Sequence, residues 1–186
     1  YFLWQISSLV YPMTWAYFTI GRYGWSNGLV GLSLALMGVT MALMQIFVSA
    51  RIVARYGERK TATIGMAGGI AGMLAFALIE NGWIAFSLMP LLAIQSLVHP
   101  CLTAMMSRRA DATTQGEVQG FASSLMAVGS IISPTIFNPM LAWFTGPNAP
   151  FHWYGIAFAI AAIIAGLAFV VLLSMARAPR PDPAIS

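Results

Sequence analysis

Six long apolar stretches, separated by short polar segments, constrain this chain more than any other feature. They lie at residues 2–20, 28–50, 61–79, 83–106, 121–144 and 153–176. A helix needs about 20 mostly apolar residues to cross the hydrocarbon core of a bilayer. Only 8% of the residues are charged, too few for the surface of a soluble domain of this length. The sequence therefore predicts an all-α integral membrane domain of six spanning helices over residues 1–176.

The basic residues lie almost entirely on one side of the predicted helices. Eight of the nine Lys and Arg residues fall in segments 51–60 and 107–120 or in the tail after residue 176, and only Arg22 lies on the other side. Positive charge marks the cytoplasmic side of a membrane protein, so we expect both ends of this chain to be cytoplasmic and expect no nucleic-acid partner. The tail, residues 177–186, is rich in proline and poor in apolar residues, which predicts disorder.

Polar side chains inside the predicted helices are the candidates for a substrate site. They are costly in a bilayer unless they line a cavity or bond to a neighbouring helix. His99 could also exchange protons near neutral pH, and the alternative is a neutral histidine bonded to a neighbouring helix. Gln5 belongs to the same polar class. The residues that we predict to bind substrate are Gln45, Gln95, His99 and Asn138.

Prolines and glycines predict where these helices bend and pack. Proline lacks a backbone donor, so two helices should bend or break, either as ordinary kinks or around a water-filled cavity as in transporters. These prolines are Pro90, Pro100, Pro134 and Pro139. A stripe of glycines in the third stretch predicts close helix packing, or else a flexible cavity-lining helix. The stripe consists of Gly65, Gly68, Gly69 and Gly72.

No pattern in the sequence predicts an enzyme. Residues 31–34 read Gly-Leu-Ser-Leu, which superficially resembles the serine motif of intramembrane rhomboid proteases. A serine nucleophile needs a base within reach, and His99 would have to supply it to Ser33 from a helix two spans further on. Nothing resembles a Walker loop or a dinucleotide fingerprint, and the single Cys101 excludes a Cys-rich metal site. We therefore expect no catalytic residue, no metal and no cofactor.

The basic segment at residues 50–60, Ala-Arg-Ile-Val-Ala-Arg-Tyr-Gly-Glu-Arg-Lys, resembles the loop called motif A in the major facilitator superfamily. In that family the motif occurs once in each half. The resemblance implies alternating access, with a cytoplasmic gate at Arg51, Arg55, Gly57 and Arg59. The segment would also serve as a positive-inside anchor, and both roles are compatible.

Further segments are similar to the C-terminal half of tetracycline/proton antiporters. They are Arg-Tyr-Gly-Trp at 22–25, Val-Gly and Ser-Leu at 30–34, Gln45, Asn-Gly-Trp at 81–83, and Gln-Gly at 115–116 and 119–120. The resemblance implies the last six helices of a twelve-helix exporter in the inner membrane. Its partners would be the lipid bilayer, the N-terminal six-helix half, an amphipathic drug and protons.

The chain departs from those antiporters where protons would be exchanged. They carry an acidic residue in the helix that corresponds to residues 61–79, where this chain has Gly68 and Gly69, and a histidine at the position of Met41. The Asp expected within motif A is Ala54 here, as is usual for second-half copies. All five acidic residues lie outside the predicted spans. Proton coupling would therefore depend on the other half or on a substitute such as His99.

These observations predict a secondary active transporter for proton-coupled efflux of tetracycline-like or other amphipathic drugs. A different transporter remains open on the same fold, an importer of a small metabolite such as a sugar, peptide or organic acid, because a fold does not set a substrate. An intramembrane serine protease and a signalling or scaffold membrane protein are the remaining alternatives.

Overall fold

The structure, a computed structural model, describes residues 1–108 and 114–175, and its regular elements are all helices. In chain order the helices are α1 (Phe2–Ser8), α2 (Val10–Tyr23), α3 (Asn27–Leu43), α4 (Ala50–Leu78), α5 (Gly82–Leu92), α6 (Val98–Ser107), α7 (Gln115–Thr145) and α8 (Ile156–Ser174). A π-helical segment, Met44–Ser49, joins α3 to α4, and a 3-10 segment, Ala93–Leu97, joins α5 to α6. The described part of the chain contains no strand, so the all-α prediction is confirmed. The predicted disordered tail lies outside the described residues.

Four helical stretches in the described ranges are long and apolar enough to cross a membrane. They are Asn27–Leu78, Gly82–Ser107, Gln115–Thr145 and Ile156–Ser174. The first has 52 residues because it includes the second and third predicted spans, which meet at Gly57. The first predicted span is missing from this set because Leu9 divides it into α1 and α2. This arrangement is that of a multi-pass membrane protein.

The predicted connection at 51–60 is reduced in the structure to a kink between two helical stretches. Its residues are helical except Gly57, whose φ of 78° and ψ of 161° interrupt α4. This backbone region is accessible essentially only to glycine, because a Cβ would be crowded by the directly adjoining backbone of its own chain segment. The predicted connection at 107–120 was also too long, since α7 begins at Gln115.

The break at Leu9 has a local cause that the sequence analysis missed. Pro12 has no N–H to donate to the carbonyl of Ser8, so the helical ladder loses a bond there. The hydroxyls of Ser7 and Ser8 donate to the carbonyls of Trp4 and Gln5 in the preceding turn, at 2.8 and 3.0 Å. The first spanning stretch therefore consists of two short helices.

The prolines of the two later helices behave differently from each other. Pro90 lies inside α5 and Pro100 in the first turn of α6, and the 3-10 segment lies between them. This fulfils the expectation of an irregular fourth span. By contrast, α7 continues through Pro134 and Pro139 without leaving the helical conformation, so no break occurs there.

The glycine stripe of α4 packs against the irregular fourth span. A Cβ on Gly65 would lie 2.7 Å from the side chain of Val98, and one on Gly69 would lie 2.6 Å from Trp4. Backbone and side chains therefore approach α4 more closely than any larger residue would permit. The packing role predicted for these glycines is confirmed, and it sets the position of Gln95 beside Gly69.

An aromatic cluster forms the core near the end of α4. Phe76 from α4, Phe158 from α8 and Phe18 from α2 are completely buried. Trp15 contacts Phe76 edge to face, with ring centroids 5.1 Å apart, and Phe18 contacts Phe158 at 4.7 Å. Such pairs stabilise packing beyond the apolar area that they bury. The core therefore fixes α2, α4 and α8 relative to one another.

Candidate functional site

A cavity of 290 Å³ lies where the break at Leu9 faces the 3-10 segment Ala93–Leu97. We call it the Gln95 cavity. Its polar lining residues are Gln5, Ser8, Tyr11, Gln95, Ser96 and His99. Both irregular segments are consequences of proline, because the missing backbone donors prevent a straight helix on either side. The structure thus joins a polar cavity to interrupted helices, the combination that transporters place at a binding site.

Several polar atoms in this cavity have no hydrogen-bond partner among the described residues. They are both amide atoms of Gln95, the hydroxyl of Tyr11 and the hydroxyl of Ser96. Gln95 itself is only 6% exposed. The hydroxyl of Tyr11 approaches the Gln95 amide, but the two groups do not reach hydrogen-bond geometry. Since a buried unpaired polar group costs about 1–3 kcal/mol, a group from outside this set is expected to pair with them.

His99 lines the same cavity and has one hydrogen-bond partner. The hydroxyl of Tyr1 lies 3.2 Å from its Nδ1 atom and 3.4 Å from its Nε2 atom. The two rings are tilted, with centroids 5.3 Å apart. Within the described part of the chain, no carboxylate forms an ion pair with His99. This environment fits the histidine bonded to a neighbouring segment that we considered, and it leaves the predicted proton role untested.

The other two predicted substrate residues do not lie in the Gln95 cavity. Gln45 is exposed on the π-helical segment. Asn138 is exposed on α7 and lines a second cavity of 320 Å³ together with Met13 and Tyr17 of α2. Within this chain the structure therefore brings Gln95 and His99 together, but not Gln45 or Asn138. Sequence reasoning missed Tyr11 and Ser96, although Tyr11 precedes a proline and Ser96 follows a candidate.

The predicted gate residues make unequal contacts. The guanidinium of Arg59 donates to the carbonyl of Leu172 at 2.6 Å, in the last turn of α8, where backbone carbonyls lack helical partners. Arg51 donates to the carbonyl of Phe47 in the adjoining π-helical segment. Arg55 lies 5.5 Å from the ring centroid of the adjacent Tyr56. Of the predicted arginines, Arg59 is the one whose hydrogen bond reaches another helix of the described structure.

Glu58 and Arg108 form an ion pair that the sequence analysis did not predict. Their side-chain atoms are 2.8 Å apart, with Glu58 14% exposed and Arg108 76% exposed. The pair joins the residue after the Gly57 break to the end of α6. Together with the Arg59 bond to α8, it connects the predicted gate segment to two neighbouring helices. We call these two contacts the Glu58–Arg59 clamp.

Exchanging the charges of this ion pair should restore most of what either single reversal removes. Glu58→Arg or Arg108→Glu alone places like charges together, whereas the double variant rebuilds an opposite pair. Because Arg108 is largely exposed, we expect a coupling free energy of at most about 1 kcal/mol. Thermal unfolding of the full-length protein in detergent, at low and high salt, would measure it. Additive effects of the two single variants would show that the pair contributes nothing.

The structure does not support the serine protease alternative. The hydroxyl of Ser33 donates to the carbonyl of Val30 at 2.7 Å and accepts from the indole N–H of Trp15 at 2.9 Å. The ring of His99 bonds to Tyr1 instead. Ser33 therefore belongs to a structural bond between α2 and α3. Among the described residues, no group of three or more His, Cys, Asp or Glu side chains is arranged to hold a metal.

The comparison with protein families decides the class of this chain. The family model described as Major Facilitator Superfamily matches residues 1–186. The chain belongs to the Major Facilitator Superfamily. Members of this superfamily are secondary transporters built from two six-helix halves. This match confirms the predicted family and the all-α membrane fold. The interrupted helices around the Gln95 cavity are therefore part of a transporter fold.

Curated relatives of this superfamily chain include several resistance proteins. It is 34% identical to the class C tetracycline resistance protein of Escherichia coli over 164 residues, which are 88% of this chain and 40% of that protein. It is 32% identical to the class G protein of Vibrio anguillarum over 179 residues, which are 96% of this chain and 43% of that protein. The chain thus spans less than half the length of these relatives. No solved structure matches it.

Proposed function

We propose that this chain is the C-terminal half of a drug exporter that exchanges tetracycline-like or other amphipathic compounds for protons by alternating access. The observation that carries the proposal is the similarity to tetracycline resistance proteins, which extends over 88% of the chain at 34% identity. The interrupted helices around a polar cavity support it, because transporters bind substrates where broken helices expose polar groups.

We propose an inner-membrane topology with both ends of residues 1–176 on the cytoplasmic side. The distribution of Lys and Arg supports this orientation. The proposed partners are lipid, the N-terminal half, protons and the drug. Gln45 and Asn138 are exposed in this half, and a polar side chain facing lipid would be costly. We therefore place both residues toward the other half or a water-filled pathway, as members of the substrate site with Gln95 and His99.

The proposed gate consists of Arg51, Arg55, Gly57 and Arg59. The Glu58–Arg59 clamp supports this role, since it ties the segment at the Gly57 break to the ends of α6 and α8. An alternating-access cycle moves helix ends relative to one another, so contacts of this kind must form in one state and separate in another. No carboxylate lies within a predicted span, and we therefore assign proton exchange to the other half, with His99 as the candidate in this one.

Proton flux measured with the full-length protein tests this function. The protein would be reconstituted in liposomes that contain a pH-sensitive dye, a pH gradient would be imposed, and tetracycline would be added. We expect drug-dependent proton flux that protein-free liposomes do not show. Absence of flux with tetracycline and with unrelated amphipathic drugs, from protein shown to be folded, would contradict the proposal and favour metabolite uptake.

Gln45→Ala should lower tetracycline transport about tenfold while the amount of folded protein stays unchanged. The expectation follows from the loss of one or two hydrogen bonds to the drug, each contributing about 1 kcal/mol. Ser87→Ala is a matched control, because Ser87 is also exposed and its hydroxyl bonds only the carbonyl of Trp83 on its own helix. Initial uptake rates in inverted vesicles would measure both variants. Equal rates for Gln45→Ala and the control would remove Gln45 from the proposed site.

A further inference from the structure

We infer that Tyr11, Gln95 and Ser96 form a charge-free subsite that binds an uncharged, planar hydrogen-bonding group of the substrate, of the carboxamide class. The inference rests on the proposed export of tetracycline-like drugs and adds the part of the drug that this half contacts. It also assigns a role in substrate binding to Tyr11 and Ser96, which the sequence analysis did not identify as candidates.

The first support is the number of unpaired polar atoms in one place. Four atoms of three side chains lack partners in the described structure, and all three side chains line the Gln95 cavity. Buried polar groups are paired in the great majority of cases, so a cluster of this kind marks a place for a ligand. A glutamine amide alone offers two donors and two acceptor positions. Even if the Gln95 amide formed a hydrogen bond with the hydroxyl of Tyr11, most of its donor and acceptor positions would remain unpaired.

The second support is the absence of charge around these atoms. The residues lining the Gln95 cavity include no Asp, Glu, Lys or Arg. His99 also lines the cavity, and its ring bonds to the hydroxyl of Tyr1. While His99 is neutral, an ionised group that entered would lose its hydration and find no opposite charge, which is strongly unfavourable. A neutral amide group has a much smaller desolvation cost and can satisfy donors and acceptors together. The electrostatics of the cavity therefore select an uncharged group.

The third support is the shape of the cavity. Its apolar lining includes Trp4, Met41 and Met126, which suit a flat hydrophobic ring next to the polar group. The volume of 290 Å³ is at the lower limit for a drug-sized ligand, so this half receives one edge of the substrate. Gly69 leaves space for the side chain of Gln95 beside α4, since a Cβ on Gly69 would lie 3.2 Å from the Cβ of Gln95.

The test compares two ligands on the full-length protein. Tetracycline carries a primary carboxamide beside a keto–enol system, and an analogue with a nitrile in place of the carboxamide lacks the amide donors. Binding to the purified protein in detergent would be measured by calorimetry. We expect Tyr11→Phe and Ser96→Ala each to raise the Kd of tetracycline about five- to tenfold, and Gln95→Met to raise it about 30-fold. For the nitrile analogue, Gln95→Met should change the Kd less than about threefold, because the lost amide bonds are already missing.

A control and a second measurement separate binding from folding. Ser130→Ala removes an exposed hydroxyl that bonds only the carbonyl of Ala127 on its own helix, and it should leave both Kd values unchanged. In the ligand-free protein, Tyr11→Phe and Ser96→Ala should leave the Tm unchanged or raise it, since these hydroxyls have no partner among the described residues. A lower Tm for both variants would show that the hydroxyls bond within the protein and would overturn the inference.

The remaining outcomes distinguish the subsite from the proposed function. If the wild type binds tetracycline but the three variants leave its Kd unchanged, the cavity contains only water and the inference alone is overturned. Equal losses for tetracycline and the nitrile analogue would also overturn the inference alone. A folded wild type that binds neither ligand would contradict both the proposed function and the subsite that rests on it.

Discussion

Gly155→Ala should prevent the full-length protein from accumulating in a folded form. A Cβ on Gly155 would overlap the carbonyl oxygen of Ala77 and lie 2.7 Å from both its carbonyl carbon and its Cα atom. Because the overlap is with backbone, no side-chain rotation can relieve it. The indole N–H of Trp153 donates to the same Ala77 carbonyl at 3.0 Å, so a shift of the chain would also lengthen that bond. We expect a destabilisation of about 3 kcal/mol or more.

Gly166→Ala is the matched control for this substitution. Gly166 lies in the middle of α8, and a Cβ there would meet nothing within 4 Å. The control should accumulate like the wild type, because alanine favours a helix over glycine by about 0.5–1 kcal/mol. Membrane yield, size-exclusion profile in detergent and Tm would compare the two variants. Wild-type yield and Tm for Gly155→Ala would show that the end of α4 and the start of α8 are not in contact.

Gly57→Ala should reduce both stability and transport. At φ 78° and ψ 161°, Gly57 occupies a backbone region that costs a residue with a Cβ about 1–3 kcal/mol. Relief of this strain would rotate the helical residues that follow, which include both members of the Glu58–Arg59 clamp. We therefore expect a lower Tm, together with transport reduced about tenfold per folded molecule. Measuring transport relative to folded protein separates the two effects.

Gly38→Ala is the control that separates the backbone strain at Gly57 from the general effect of replacing a glycine by alanine. A Cβ at Gly38 or at Gly57 would meet nothing within 4 Å, so neither substitution creates an overlap. Gly38 lies inside α3, where alanine is preferred, and its replacement should leave the Tm equal or slightly higher. If the two variants show equal Tm and transport, the conformation of Gly57 has no part in stability or gating.

The single basic residue on the outer side of the predicted topology gains an explanation from the structure. Arg22 donates through Nε to the carbonyl of Ile79 at 2.9 Å and through its terminal nitrogen to Leu78 at 3.3 Å. Both carbonyls are at the end of α4, where helical partners are missing. Arg59 does the same for α8 at the opposite side. Each arginine therefore stabilises the end of a neighbouring helix.

The sequence alone determined the class, the approximate spans and the family of this chain. Hydrophobic length is a local property, so the prediction of membrane-spanning helices needs no tertiary structure. The glycine stripe of α4 also predicted its packing role, because small residues permit close approach wherever they occur at helical spacing.

Only the tertiary structure decided which polar residues share a cavity and which glycines cannot be replaced. Gln95 and His99 lie together because the 3-10 segment faces the break at Leu9, whereas Gln45 and Asn138 are exposed elsewhere. Gly155 and Ala77 are far apart in the chain, and no local pattern reveals that their backbones touch. The rotation of each helix about its axis depends on all of its neighbours at once, so the composition of a site inside a bundle follows from packing rather than from sequence spacing.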